Sequence, residues 1–532
     1  MWSVARTLRR VTLVVLHYHY RPGGVRRVIE LGLPGILRSA GRRAGNVLLA
    51  GGEAPPEEWL SALRRSIPEV VIEFVVDPQF GYAAKAVSGG DRADRPMVQA
   101  CRDLLARAGP APLAVWAHNL SLGRNLALAA SLASACRRRR VRLILHHHDW
   151  WFDNRWEHLP REVSQQRAGS DRVARWLLPS AGAVRHVAIN RSDAGILTRH
   201  FGRAAAWVPN PVIATGGPSA SAVRAARHWL TEQLGDSAPV WLVPCRLLRR
   251  KNLGEAILLA RWFRPEAWLV TTAGVSSPDE TAYGGRMEAL VRREGWRVRF
   301  GILARSSEVR SPSVESLLQA SEAVLLTSLI EGFGLPYIEA AAARRPLIAR
   351  ALENVVPDLR RLGVRLPYLY PELWIDPALF DVAAERRRQR VWFEQLKSRI
   401  PSAWSRRLTE PTIIDESRVQ RAIAFSRLSL SAQIEVLQVP PEQSWRSCRA
   451  LNPGLVSLAS RAASGRLEPA ELGRGAEVGL SVATFGRRLL RLIDREVPRR
   501  DSGAGRRAQA DLIMDKLKST NLYPLLAARS EE

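Results

Sequence analysis

Short apolar runs alternate with helix-length segments along the first two-thirds of the chain. VTLVVL (11–16), NVLLA (46–50), VVIEFVV (70–76), LAVWA (113–117), VRLILH (141–146) and HVAI (186–189) form a first series. Each is nearly continuous in branched aliphatic residues rather than alternating with polar ones, the pattern of strands covered on both faces in a parallel sheet. The turn-rich WVPNPV (207–212) breaks the series, and a second one follows: VWLVPC (240–245), AWLVTTAG (267–274), RVRFGIL (297–303), AVLLTS (323–328) and PLIAR (346–350). Strands alternating with helices predict two successive doubly wound α/β domains. Beyond about residue 380 the strand-like runs thin out, and the chain reads as helical and rich in arginine. AIAFSRLSLSAQIEVLQ (422–438), for example, has helical spacing. The expected organisation is a Rossmann-like domain over 1–212, a second over 213–385, and a mainly helical extension over 386–532 that partly crosses back to the first domain.

Composition narrows the class. The chain has 532 residues, 46% of them hydrophobic and 24% charged, as in ordinary soluble globular proteins. No run approaches the ~20 apolar residues of a membrane-spanning helix, and VTLVVL is too short for a secretory core segment. The four cysteines (Cys101, Cys136, Cys245, Cys448) show neither CxxC spacing nor histidine pairing, so a reducing, cytoplasmic setting is expected. The formal net charge of +28 is almost all arginine, since lysine occurs only at 85, 251, 397, 516 and 518. A basic surface favours anions, and peripheral contact with an anionic membrane face is compatible with it. No nucleic-acid-binding motif accompanies the charge, whose densest runs are CRRRR (136–140) and RRRQR (386–390).

Candidate chemistry concentrates in four stretches. SLIEGFGLPYIEA (328–340) follows a strand, with Glu331 on a glycine loop and Glu339 in the first turns of the next helix. Glycines let backbone approach a ligand closely, Pro336 suits a first helical turn, and free N–H groups near Gly334 and Leu335 would meet an anion there. A phosphate flanked by hydroxyls describes a sugar nucleotide; acidic residues placed to suit the helix dipole are the plainer alternative. PCRLLRRKNL (244–253) opens the second series with Arg246 and Lys251 five positions apart, Arg249 and Arg250 reading as solvated loop charges. VTLVVLHYHYRPGGVRRV (11–28) is strand, loop, Gly23–Gly24, then helix, without a complete G-x-G-x-x-G. LAVWAHNLSLGRNLALA (113–129) ends a strand at His118, and LILHHHDWWFDNRW (143–156) adds three histidines of which at most two share a strand face. That alternation argues against a metal site.

EGFGLPYIEA resembles the E-x7-E segment of retaining GT-B glycosyltransferases of the large family-4-like group. The resemblance covers roughly residues 11–350 and implies two Rossmann-like domains facing each other, the first binding acceptor and the second donor. It implies that Glu331 contacts donor-sugar hydroxyls, Glu339 holds the nucleotide ribose, and Arg246 and Lys251 clamp the diphosphate. Gly23, Gly24, Phe333, Gly334, Leu335 and Gly274 would line the donor, with His118 against the transferred sugar. His148, Asp149 and Trp151 would meet the acceptor. The expected activity is transfer of a hexose from a UDP-, GDP- or ADP-sugar to a carbohydrate, lipid-linked or small-molecule hydroxyl, with no cofactor and no metal. A sugar-nucleotide epimerase of the same architecture and a non-catalytic basic binding protein are the alternatives.

Overall fold

The computed structural model describes residues 11–41, 44–83, 95–110, 114–153, 167–212, 217–275, 277–304, 311–417, 421–496 and 503–526. The chain divides into two compact units. The first takes its described residues from Met1–Ile213, Arg399–Ser405 and Val478–Leu517; the second takes them from Ala214–Ser398, Arg406–Glu477 and Lys518–Glu532.

The first unit is built on seven strands: β1 (Val11–Leu16), β2 (Ala44–Gly51), β3 (Val71–Val76), β4 (Ala114–His118), β5 (Leu143–His147), β6 (Val184–Ala188) and β7 (Ala205–Trp207). They pair parallel in the order β3-β2-β1-β4-β5-β6-β7. The uninterrupted apolar runs of the sequence are the strands buried on both faces, with Leu13 to Leu16 wholly inaccessible. The chain lays β2 and β3 on one side of β1 and β4 to β7 on the other, so the order reverses between β1 and β4. The helix Gly24–Ala40 crosses the helix Val482–Asp494 at van der Waals backbone distance. A Cβ on Gly35 would overlap the Val482 carbonyl, and one on Gly486 would overlap the Gly35 carbonyl. Phe485 fills the remaining space against Trp116. The next helix, Ala504–Lys516, is tied in by Lys516 Nζ, 3.1 Å from Asp193 Oδ1.

The second unit has the strands β8 (Val240–Val243), β9 (Trp268–Thr271), β10 (Val298–Arg299), β11 (Ala323–Leu326), β12 (Leu347–Arg350), β13 (Val364–Arg365) and β14 (Tyr368–Tyr370). Its parallel sheet runs β10-β9-β8-β11-β12-β14, while β13 pairs elsewhere, so the order here reverses between β8 and β11. The helix Leu253–Phe263 is buried on nearly every face. The helices Leu430–Gln438, Pro441–Cys448 and Pro453–Ala463 pack on it, with Trp262 Nε1 donating to Ser444 Oγ at 2.9 Å. Hence the stretch expected as a helical extension is split: 406–477 lies in the second unit and 478–517 in the first. Within it, 422–438 is not one helix. Ile423–Ala424 pairs as a short strand, and the helix starts only at Leu430. Ser429 Oγ caps that helix by accepting the Ala432 N–H, an option that competes with continuing helix through a serine.

Among the described residues no helix is long and apolar enough to cross a membrane, and all four cysteines are buried thiols.

Candidate functional site

In a doubly wound sheet, ligands bind beyond the carboxyl ends of the strands where the order reverses. In the second unit that place lies between β8 and β11, and both acidic and basic motifs arrive there. β8 leads into a tight turn at Arg249–Lys251, closed by Asn252 in the left-handed region (φ 49°). Asn252 is held there by its own side chain, whose Nδ2 donates to Glu255 Oε2 at 2.8 Å. The loop after β11 is fastened to this turn through the backbone. Thr327 Oγ1 donates to the carbonyls of Lys251 (2.9 Å) and Asn252 (3.1 Å), and the Leu329 N–H donates to the Arg250 carbonyl at 2.8 Å.

The side chains then close on Glu331. Lys251 Nζ donates to Glu331 Oε1 at 2.5 Å, and Arg250 Nη1 donates to Glu331 Oε2 at 3.2 Å and to the Ile330 carbonyl at 3.1 Å. Asn354 Nδ2 holds the Glu331 carbonyl at 2.7 Å. Lys251 is 7% and Glu331 8% exposed. Burial alone would raise the Glu331 pKa, but Lys251, Arg250 and Ser328 overcome it and hold the carboxyl down at about 2. Glu331 is therefore a fixed anion near neutral pH and no proton shuttle.

Arg246 stands exposed just before this turn, and partial desolvation first, then repulsion from the nearby Arg250, lowers its pKa. Two expectations for this loop change. Arg250, half-exposed, is not a solvated charge alone but also the second cation on Glu331. Arg249 is 4% exposed, its amide donating to Glu280 Oε2 at 3.0 Å and its Nη1 to the Asp279 carbonyl at 3.1 Å. Nothing in the run of basic residues distinguished the inward from the outward side chains; the turn geometry does.

Gly334 precedes the helix Leu335–Ala342 at φ 83°, and Pro336 occupies its first turn. A Cβ on Gly334 would overlap Val355 Cγ1. Phe333 is buried, while Leu335 and Glu339 are half-buried on this helix start. Gly274 lies in the loop after β9 beside the same turn: its carbonyl accepts the Leu247 N–H at 3.3 Å, and the Ala273 N–H donates to the Cys245 carbonyl at 3.0 Å. The structure thus gathers Arg246, Lys251, Glu331, Gly334 and Gly274 at the carboxyl ends of the central strands, together with Arg250, Asn252, Thr327 and Asn354, which sequence reasoning missed. An asparagine just before an apolar helix was the one available signal, marking a left-handed residue at Asn252.

In the first unit the reversal lies between β1 and β4. Gly23 and Gly24 follow β1 as an exposed helix start, and His118 ends β4 wholly buried. His118 Nδ1 is 3.1 Å from His148 Nε2, and His17 Nδ1 lies 3.4 Å from the His118 carbonyl. Burial first, then the neighbouring His146, His148 and His17, push His118 well below the usual imidazole range; His148 falls to about 4 for the same leading reason. These rings are neutral. Asn119, left-handed at φ 58°, donates from Nδ2 to Asp149 Oδ2 at 2.9 Å and accepts the Asp149 N–H at 2.8 Å. Asp149 thereby braces the β4 loop. Trp151 departs from its expected role: it is 3% exposed and its indole donates to Gln509 Oε1 at 3.3 Å, so it packs the core under the last helix rather than presenting a face to an acceptor.

His118, His146 and His148 bring ring nitrogens within 4.8 Å of one another, a set that could hold a metal ion. The alternation argument is kept by His146 and His148 alone, with His147 turned away to His186, but a neighbouring strand supplies the third ring. The donors fit an ion poorly. Trp116 Nε1, which can only donate, gives its proton to His146 Nδ1 at 3.2 Å, so the neutral His146 carries its own proton on Nε2 and has no lone pair left. The ring planes lie 24–35° from one another.

No family model matches the chain. It is 23% identical over 359 residues to mannosylglucosyl-3-phosphoglycerate synthase of Petrotoga mobilis, covering 66% of each protein. It is 25% identical over 260 residues to mannosylglucosylglycerate synthase of Thermotoga maritima, covering 45% of this chain and 58% of that one. The match thus spans no more than about two-thirds of either relative's length. Among solved structures, a glycosyltransferase from Rickettsia africae superposes with a TM-score of 0.52 at 11% identity, covering 91% of this chain and 98% of that one. Anabaena HepE in complex with UDP-glucose superposes with a TM-score of 0.50 at 16% identity, covering 90% and 98%. The chain shares the GT-B fold of these solved structures and is similar in sequence to the two synthases.

Proposed function

We propose that the protein is a retaining hexosyltransferase that takes its sugar from a nucleotide diphosphate donor bound at the carboxyl ends of β8 and β11 in the second unit. The observation that carries this reading is the ionised Glu331 held between Lys251 and Arg250, with Arg246 exposed just before their turn. As the bond between the anomeric carbon and the diphosphate breaks, negative charge grows on the departing oxygen. Fixed cations and the amides at the helix start after Gly334 stabilise that charge. Lys251 has three N–H donors and commits one to Glu331, leaving others for a phosphate. Glu331, anionic throughout, accepts hydroxyl hydrogen bonds from the sugar and offsets positive charge on its ring. Glu339 takes the ribose hydroxyls. The acceptor oxygen forms the new bond to the anomeric carbon, and its proton leaves with the diphosphate. The acceptor side is assigned to the first unit, with His118, a neutral ring, as a hydrogen-bond partner and His148 and Asp149 beside it. Both relatives are named for glycosides of glycerate or its phosphate, which favours a small polar acceptor over a polysaccharide.

A thermal-shift screen against UDP-, GDP- and ADP-hexoses tests the donor site. One of them stabilises the wild type and not the Arg246→Ala/Lys251→Ala protein, and nucleoside diphosphate is released when a sugar acceptor is added. Absence of any shift, or a changed nucleotide sugar without diphosphate release, rejects the reading.

A further inference from the structure

The glycine crossing of the first unit has a chemical consequence at its far end. Because Gly35 and Gly486 let the helices Gly24–Ala40 and Val482–Asp494 touch at their backbones, the polar faces of both are drawn together around one groove. The groove is an open depression of about 480 Å³. Leu490 lies in its wall, and Arg38, Arg487 and Arg491 line it against a single acid, Asp494. Elsewhere on this unit some exposed arginines reach carboxylates, as Arg21 does Glu53, Arg27 Glu30 and Arg107 Glu73, while others, such as Arg102 and Arg137, stand singly on the surface. In the groove, none of the three arginines forms an ion pair among the described residues, and Arg487 donates only to Thr484 Oγ1, at 2.9 Å. The neighbouring Arg488 is different: it turns away to the Gly479 carbonyl and lies over the Trp207 ring.

Arg38 and Arg491 sit in the last turns of their helices, where a cation offsets the dipole. That accounts for neither Arg487, in mid-helix, nor the convergence of all three on one concavity. Like charges brought together by a rigid crossing repel unless an anion lies between them, and guanidinium forks match phosphate oxygens two at a time. We propose that this groove binds a small phosphate-bearing ligand, at a site separate from the proposed donor site and independent of that assignment.

The test is calorimetric titration of the full chain with inorganic phosphate at constant ionic strength, in an Arg246→Gln background that removes one donor-site cation. The expected result is saturable binding to one site, weakened at least about tenfold by Arg487→Gln/Arg491→Gln, each charge-assisted contact being worth about that much. Arg38→Gln gives a similar loss, and with repulsion relieved all three exposed substitutions leave the melting temperature without phosphate no lower than the parent's. Equal phosphate binding by parent and variant overturns the proposal, as does a response that chloride reproduces. It is also overturned if free phosphate does not saturate while phosphatidylglycerol vesicles bind through these arginines, for the groove is then a membrane contact. The same Arg487→Gln/Arg491→Gln protein with Arg246 restored retains its nucleotide-sugar thermal shift, so failure of either site is read separately.

Discussion

Replacing Lys251 by methionine isolates the central electrostatic claim. Methionine keeps most of the stem's volume but leaves Glu331, 8% exposed, with Arg250 at 3.2 Å as its remaining cation. A Glu331 pKa depressed from 4.5 to about 2 corresponds to about 3 kcal/mol favouring the ionised form in the folded protein. Breaking a buried pair from one side costs about 3–5 kcal/mol in general. Arg250 retains part of the stabilisation, so the expected loss at pH 7 is about 2–3 kcal/mol. The sign with pH follows from the same shift. A folded-state pKa below the unfolded one gives stability that is full above about 4.5 and lost as pH falls through about 2. In Lys251→Met the Glu331 pKa rises, so the mutant begins to lose this contribution at a higher pH than the wild type. Calorimetric unfolding of the full chain, with Glu331→Gln and the double substitution completing a cycle, measures the coupling. A coupling of about 2–3 kcal/mol at pH 7 that shrinks toward pH 3 is expected. A coupling below about 0.5 kcal/mol, or one that does not change with pH, refutes the buried ion pair and the fixed-anion role with it.

Other outcomes follow from the same geometry. Arg246→Gln, an exposed change, leaves stability within about 1 kcal/mol yet weakens the nucleotide-sugar thermal shift at least about tenfold; an unaltered titration curve removes Arg246 from the donor site. Gly486→Ala forces a Cβ into the Gly35 carbonyl and destabilises the first unit by about 1–3 kcal/mol, while Gly454→Ala, with nothing within 4 Å, is neutral or slightly stabilising by calorimetry. His148 titrates at about 4 in the folded chain against 6.5 unfolded, facing His118, His146 and Asp149. Its contribution to stability is therefore whole above about 6.5 and lost as pH falls toward 4. The melting temperature of His148→Asn should decline less steeply over that window than the wild type's, and parallel curves would deny the shift.

The two sheets could be read from the chain because parallel strands covered on both faces must be apolar throughout. That demand leaves a one-dimensional trace at VTLVVL and VWLVPC alike. The glutamates of 328–340 were legible for a related reason: a glycine in the left-handed region, here Gly334 at φ 83°, and a first-turn proline mark a strand-to-helix junction without knowledge of anything distant. What stayed hidden depends on which way a side chain turns once distant segments meet. Arg249, Arg250 and Lys251 are consecutive and chemically alike, yet one is buried against Asp279 and two converge on Glu331, eighty residues on. Trp151 looked like an acceptor platform because an aromatic beside a strand end can be either a binding surface or core; Gln509, on the helix Ala504–Lys516, decides for core. The same reasoning explains why the +28 charge is uninformative as a total. Many arginines are spent on carboxylates or carbonyls inside their own unit, as Arg350, Arg185 and Arg386 are, and others stand singly on the surface. Chemistry can be assigned only where the fold gathers cations beyond the number of acids available to them. By that criterion the turn after β8 and the groove at Arg38, Arg487 and Arg491 are the places that ask for an anion from outside the chain.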